Sequence, residues 1–173
     1  MTGWLWTFWT FSFGGWVLER GFAAATRSPV QRRRGLLVGP LCPVYGIGVL
    51  AVLALPADLL TGWRTYWSGV TVTTAVEYLY HWWGQKFLGV TFWDYTGVPG
   101  NFRGRVCLLF SLSWGLLTVP AVHLLAPAVW ALAEGVPPFL TWLALMLFAA
   151  DALSTLWFLA VTHDLETLRQ AVW

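Results

Sequence analysis

The sequence carries little charge. Charged residues make up 10% of its 173 residues and hydrophobic residues 58%, whereas a soluble domain has roughly 25% charged residues. A net charge of only +2, spread along the chain, excludes a nucleic-acid-binding face. Two cysteines are too few for a disulfide-stapled secreted fold. The high hydrophobic content excludes intrinsic disorder.

Long apolar runs and 14 tryptophans dominate the chain. Each run can cross the ~30 Å hydrocarbon core of a bilayer as a helix, and Trp residues cluster near the run ends, where lipid meets water. The sequence therefore predicts an all-α, polytopic membrane helix bundle that forms a single integral membrane domain over residues 1–173. Its five predicted spans cover residues 3–22, 39–60, 65–88, 105–126 and 138–162.

The distribution of Lys and Arg predicts the orientation of these spans. Short cytoplasmic loops retain cations, and only Arg64 lies on the side opposite to the others. We therefore expect the N-terminus outside and the C-terminus in the cytoplasm. The nine cations expected on the cytoplasmic side are Arg20, Arg27, Arg32, Arg33, Arg34, Lys86, Arg103, Arg105 and Arg169.

Several ionisable residues lie within the predicted spans, where they are costly unless they face protein, water or each other. Glu77 is near the middle of the third span, with His81 one helical turn later, and Glu19 is near the cytoplasmic end of the first. Two interpretations stay open for Glu77: a polar group that fixes helix packing, or a substrate, ion or proton site. For Asp151 in the fifth span, packing is favoured, because Ser154 and Thr155 can bond its carboxyl locally.

The segment GLLVGPLCPVYGIG, residues 35–48, holds two prolines and four glycines at the start of the second span. Such a composition predicts an interrupted helix, tolerated at membrane depth only where protein or a watery cavity covers the backbone. It either frames a transport site or is a kinked, re-entrant helix start. The candidate residues for a ligand or ion pathway are Glu19, Pro40, Cys42, Pro43, Tyr45, Glu77, Tyr78 and His81.

A second group of polar residues is predicted at the cytoplasmic ends of the second and fourth spans. There the positive ends of two helix dipoles would meet guanidinium groups, an arrangement suited to a phosphate or acidic ligand. Simple snorkelling onto anionic lipid is the alternative. We also expect an ion pair between Asp94 and Arg105 at the start of the fourth helix. The candidate anion-site residues are Asp94, Tyr95, Asn101, Arg103 and Arg105.

Five motifs, in this order and spacing, resemble the bacterial putative ABC-transporter permease family, also called CmpB-type or type IV. The resemblance covers about Phe11 to Trp114, and the chain after about Ala126 lies outside it. It implies a small multi-pass protein of the inner, or cytoplasmic, membrane. The motifs are GGWVLE, GLLVGPLCPVYGIG, AVEYLYHW, FWDYTG and NFRGRVCLLFSLSWG.

The leading functional hypothesis is a permease-like transport subunit of unknown substrate. No GxxxxGK[ST] nucleotide-binding loop occurs, so an ATPase would be a separate chain. The alternatives are an intramembrane enzyme acting on a lipid or phosphate-bearing substrate, and a structural or regulatory subunit of a larger complex or homo-oligomer. Because no catalytic motif is recognisable, an enzyme is not favoured. No CxxC or HxxxH spacing occurs, and we expect no metal and no cofactor.

Overall fold

The computed structural model describes residues 2–26 and 36–170 of the chain. These residues are almost entirely helical, which confirms the all-α class. Arg27, Arg32, Arg33 and Arg34 of the predicted first loop lie outside the described residues. The helices are α1 (Thr2–Thr26), α2 (Pro43–Leu53), α3 (Trp63–Trp83), α4 (Leu108–Pro120), α5 (Ala126–Glu134), α6 (Pro138–Thr162) and α7 (Leu165–Gln170).

The second apolar run holds a much shorter helix than its length allows. Residues 36–42 are non-helical, although Leu36 and Leu37 are buried. The helix α2 begins only at Pro43, where the missing proline N–H breaks no hydrogen bond of the helix. Its 11 residues span about 16 Å at ~1.5 Å per residue. The two prolines thus produce the interrupted helix that the sequence predicts.

The fourth helix begins later than predicted. Residues 101–105 do not open it, because they belong to a β-hairpin of strands β1 (Asn101–Phe102) and β2 (Val106–Cys107), and α4 starts at Leu108. Arg103 and Gly104 make the turn with φ values of +55° and +67°. Positive φ at two successive residues suits the right-handed twist of a tight hairpin and cannot continue an α-helix. The prediction of a helix start at Asn101–Arg105 is therefore wrong.

The same helix also continues beyond its predicted end near Ala126. Pro120 does not terminate it, because a π-helical turn, Ala121–Leu125, carries the chain directly into α5. Residues 126–134, predicted as part of a loop, are helical up to Glu134.

The helices α1 to α4 pack in sequence order, and α5 returns to α1. The Trp4 and Trp130 rings lie 5.4 Å apart, and Trp130 Nε1 donates to Thr7 Oγ1 at 2.8 Å. The helix α6 lies at the edge of this bundle with most of its apolar side chains exposed. One polar contact fixes its first turn, a hydrogen bond from Trp6 Nε1 to Thr141 Oγ1 at 3.1 Å.

Two helical stretches, Leu108–Glu134 and Pro138–Thr162, are long and apolar enough to cross a membrane. The helix α2 is too short to cross a membrane by this criterion. The hydropathy of α1 is lowered by Glu19 and Arg20, and that of α3 by its many Thr and Tyr residues. Length and composition alone therefore single out the fourth and fifth predicted spans.

Glycine permits close contact where helices cross. A Cβ at Gly15 of α1 would overlap the Tyr45 ring of α2, and a Cβ at Gly115 of α4 would lie 2.9 Å from the Tyr66 carbonyl oxygen of α3. Helices without a side chain at the crossing approach each other closely, which is the usual packing device of membrane bundles.

We expect Gly15→Ala to lower the thermal stability of the protein in detergent, because the new methyl group collides with Tyr45 close to its own Cβ. Overpacking of this kind costs about 1–3 kcal/mol. Gly14→Ala is the matched control, since nothing lies within 4 Å of a Cβ there. Equal melting temperatures for the two variants would contradict the observed α1–α2 crossing.

Candidate functional site

Glu77 of α3 is completely buried and connects three parts of the fold. Its Oε1 accepts a hydrogen bond from the Tyr95 hydroxyl at 3.1 Å, and its Oε2 accepts one from Trp114 Nε1 at 2.9 Å. Tyr95 lies in the loop between α3 and the hairpin, and Trp114 lies in α4. The carboxyl group thereby joins α3, this loop and α4 through neutral donors.

Two more buried polar groups of α3 lie within one turn of Glu77. The His81 ring packs against Trp93 with ring centroids 4.9 Å apart, and the Tyr80 ring packs against Phe92 at 5.2 Å. Neither His81 Nδ1 nor the Tyr80 hydroxyl has a hydrogen-bond partner among the described residues. His81 lies on the predicted face of α3, but it forms no hydrogen bond with Glu77.

A groove between α1 and α4 lies beside this buried centre. It has a volume of about 600 Å³, is partly open and includes Glu19 and Ser113 among its lining residues. A second, more apolar cavity of about 380 Å³ adjoins it, and Tyr45, Trp114 and Leu117 line both. Trp114 therefore lines the groove and also bonds to the Glu77 carboxyl.

The interrupted segment before α2 is held by side chains and backbone of other elements. The Asp151 carboxylate of α6 accepts the amides of Val38 at 3.1 Å and Gly39 at 2.9 Å. The Cys42 amide donates to the Ser12 carbonyl of α1 at 2.8 Å. Thr155 also donates to the Asp151 carboxylate, as predicted. The same prediction is wrong for Ser154, whose hydroxyl donates to the Ala150 backbone carbonyl oxygen of its own helix. This geometry supports a packing role for Asp151, because the Val38 and Gly39 amides lie in a non-helical segment and have no helical carbonyl to bond to.

The pathway candidates thus fall into separate places. Tyr45 packs against Trp114 at 4.6 Å and reaches the groove, as does Glu19. Cys42 and Pro43 are buried at the start of α2, whereas Pro40 is exposed. Tyr78 lies on another face of α3, where it contacts arginine side chains of the hairpin.

Arg103 and Arg105 meet at the hydroxyl of Tyr78. Arg105 Nη1 donates to it at 2.8 Å and Arg103 Nη1 at 3.4 Å, while Arg105 Nε donates to Gln85 Oε1 at 3.0 Å. The Arg105 guanidinium also lies 5.0 Å from the centre of the Tyr78 ring. All of these partners are neutral.

Asp94 does not pair with Arg105, so the expected ion pair is wrong. Asp94 Oδ1 instead accepts the Thr96 amide at 2.8 Å and the Thr96 hydroxyl at 2.5 Å. These bonds hold the pKa of the Asp94 carboxyl below its ordinary value. A side chain two residues away reaches the carboxylate at a lower entropic cost than a long arginine does. Asp94 therefore stabilises its own turn.

The other two anion-site candidates also make local contacts. Tyr95 is buried and turned toward Glu77, while Asn101 Oδ1 accepts the Gly104 amide at 3.2 Å and its Nδ2 donates to the Val98 carbonyl at 2.9 Å. Of the five predicted residues, the structure brings together only Arg103 and Arg105.

Three residues of these clusters were not among the sequence-derived candidates: Trp114, Gln85 and Trp93. Trp114 had a signal, because it lies in the middle of an apolar run rather than near its ends, where interfacial tryptophans collect. Gln85 and Trp93 had none, since their roles depend on how the loop after α3 folds back.

A model of the family described as Putative ABC-transporter type IV matches residues 6–156. The chain belongs to this family. The predicted resemblance is confirmed, but the prediction that the chain after about Ala126 lies outside it is wrong, because the match includes most of α6. No curated protein and no solved structure matches the chain. The family description points to transport.

We expect Tyr95→Phe to lower the melting temperature in detergent, because it removes one donor from the fully buried Glu77 carboxyl. A buried polar atom that loses such a partner costs about 1–3 kcal/mol. Tyr66→Phe is the control, since the half-buried Tyr66 hydroxyl makes no hydrogen bond with the described residues. If the two variants have equal melting temperatures, the Tyr95–Glu77 hydrogen bond does not stabilise the fold.

Proposed function

We propose that the protein is a multi-pass membrane subunit of a transport system, and that the α1–α4 groove receives its solute. The family match supports a transport-related role. The observation that carries the proposal is the groove itself, which is partly open and is lined by Trp114, the residue that bonds to Glu77.

The groove suits a solute with an apolar body and a polar end. Most of its wall is apolar, while Glu19, Ser113 and the Tyr45 side chain supply polar atoms. The adjoining cavity is nearly free of polar surface. An amphipathic solute would bury its apolar part along α1 and α4 and leave its polar end near Glu19. A change at the Trp114 ring would then be transmitted directly to the buried carboxyl.

A photoreactive long-chain alkylammonium, whose cationic end suits the Glu19 carboxylate, tests this groove in proteoliposomes. Leu117 lines both cavities, whereas its neighbour Leu116 does not and is 69% exposed. We expect the wild-type label to map to α1 and α4 and to fall several-fold in Leu117→Trp, because the indole fills the groove. Leu116→Trp is the matched control and should retain the label.

Equal labelling of the two Trp variants would remove the groove as a binding site. A fluorescent long-chain quaternary ammonium should also cross the proteoliposome membrane faster with wild-type protein than with Leu117→Trp. If labelling maps to the groove but an ATPase subunit is required for flux, adding native membrane extract and ATP should restore the difference between the variants. Flux that stays equal under both conditions would contradict the transport role.

We further propose that all five apolar runs cross the bacterial inner membrane, with the N-terminus outside and the C-terminus in the cytoplasm. Arg20, Lys86, Arg103 and Arg105 lie toward one end of the helix bundle, and Arg64 lies toward the other. This asymmetry supports the orientation by the positive-inside rule.

Cysteine labelling tests this topology. Cys42 and Cys107 are both buried, so wild-type protein serves as the unlabelled control. We expect Arg64→Cys to react with a membrane-impermeant maleimide in intact cells. Lys86→Cys should react only after the cells are made permeable. The reverse pattern would overturn the orientation. Labelling of both variants from outside would show that the third apolar run, which lies between them, does not cross the membrane.

A separate ATPase chain is the partner that this proposal requires, because the sequence contains no nucleotide-binding loop. The enzymatic alternative needs an acid beside a phosphate-holding arginine. The Asp94 carboxylate is instead bonded to Thr96, and Arg105 is bonded to Tyr78 and Gln85. The geometry therefore favours the transport subunit.

A further inference from the structure

We propose that Arg103 and Arg105 form a binding site for a phosphate group at the hairpin, separate from the α1–α4 groove. The two guanidinium groups converge on one oxygen, the hydroxyl of Tyr78, at 3.4 Å and 2.8 Å. Each is also placed against an aromatic ring, Arg103 at 5.5 Å from the Phe102 centroid and Arg105 at 5.0 Å from the Tyr78 centroid.

Neither guanidinium forms an ion pair with a carboxylate within residues 2–26 and 36–170. Asp94 lies against the hairpin, because its Oδ1 is 2.9 Å from a Cβ position at Gly104, but this oxygen is bonded to Thr96 instead. Two cations that share a neutral acceptor repel each other at short range. An anion bound between them removes this repulsion and gains charge-assisted hydrogen bonds.

The donors of the site match a phosphate better than a single-atom anion. A guanidinium carries five N–H groups in a planar fork. Arg105 uses Nε for Gln85 and Nη1 for Tyr78, and Arg103 uses Nη1 for Tyr78, so each retains further donors for the oxygens of a phosphate. Gln85 and Tyr78 hold the Arg105 fork in one orientation, which lowers the entropic cost of binding.

The surroundings suit a phosphate attached to a lipid as well as a free one. Exposed apolar side chains lie in the hairpin and directly after it, namely Phe102, Leu108 and Leu109. A phosphodiester headgroup could lie on the guanidinium pair with its acyl chains against these residues. A soluble phosphate ester would use only the guanidinium pair.

Thermal unfolding of the full chain in neutral detergent tests the site. The probes are inorganic phosphate at constant ionic strength, phosphatidylglycerol, and phosphatidylcholine as the zwitterionic control. We expect phosphatidylglycerol or phosphate to raise the Tm of wild-type protein. Arg103→Gln should raise the half-saturating concentration about tenfold, because it removes one charge-assisted hydrogen bond to the phosphate. Arg64→Gln, which removes the same charge at the other end, should respond as wild type does.

The outcomes separate the two phosphate sources. Stabilisation by phosphatidylglycerol alone that depends on Arg103 identifies a lipid headgroup, and stabilisation by inorganic phosphate identifies a soluble ester. Arg105→Lys, which keeps the charge but loses the fork, should also weaken binding. If Arg103→Gln and Arg64→Gln respond alike to both probes, there is no phosphate site. This result would leave the groove proposal standing, because the Leu117 and Leu116 variants test a different surface.

Discussion

The burial of the Glu77 carboxyl is the constraint on which the arrangement of α3, α4 and the loop between them depends. A carboxyl with no exposed surface is tolerated only when polar groups reach it. Tyr95 and Trp114 do so from different elements, and each can reach it only if its own element is correctly placed. The loop that carries Tyr95 must fold back over the end of α3, and α4 must present Trp114 at the depth of Glu77. The buried carboxyl and the groove therefore share one residue, since Trp114 also lines the groove.

A second constraint is the non-helical backbone within the core. Residues 36–42 and the chain after α3 cannot satisfy their own amides and carbonyls as a helix would, and such groups are costly in an apolar surrounding. Asp151 accepts two amides before α2, the Trp93 indole donates to the Arg105 carbonyl at 2.7 Å, and His163 Nδ1 lies 2.7 Å from the Leu88 carbonyl oxygen. The helix α6 thus reaches both irregular segments, through Asp151 near its middle and His163 at its end. This explains why a helix with few buried residues belongs to the fold.

Local sequence features predicted the elements, while long-range contacts decided the site. The length of the apolar runs located a helix in every predicted span, and the prolines at positions 40 and 43 located the interruption, because these depend on neighbouring residues only. The hairpin was missed, since an Arg-Gly turn within an apolar motif competes with a helix start and only the packed loop decides between them. For the same reason Glu77 was recognised as unusual from its depth in an apolar run, whereas its partners Tyr95 and Trp114, 18 and 37 residues away, were not assigned to it.

Neutral partners hold several of the charged groups, and this determines what the hairpin surface can do. Asp94 is held by Thr96, Asp151 by backbone amides and Thr155, and the hairpin arginines by Tyr78 and Gln85. A neutral dipole fixes the position of a charge without cancelling it, whereas an ion pair cancels its field at a distance. At Asp151 the charge stays beside the amides it satisfies, so its effect is confined to packing. At the hairpin the two guanidinium groups form no ion pair with the described residues while their orientation is fixed, which favours the binding of an external anion.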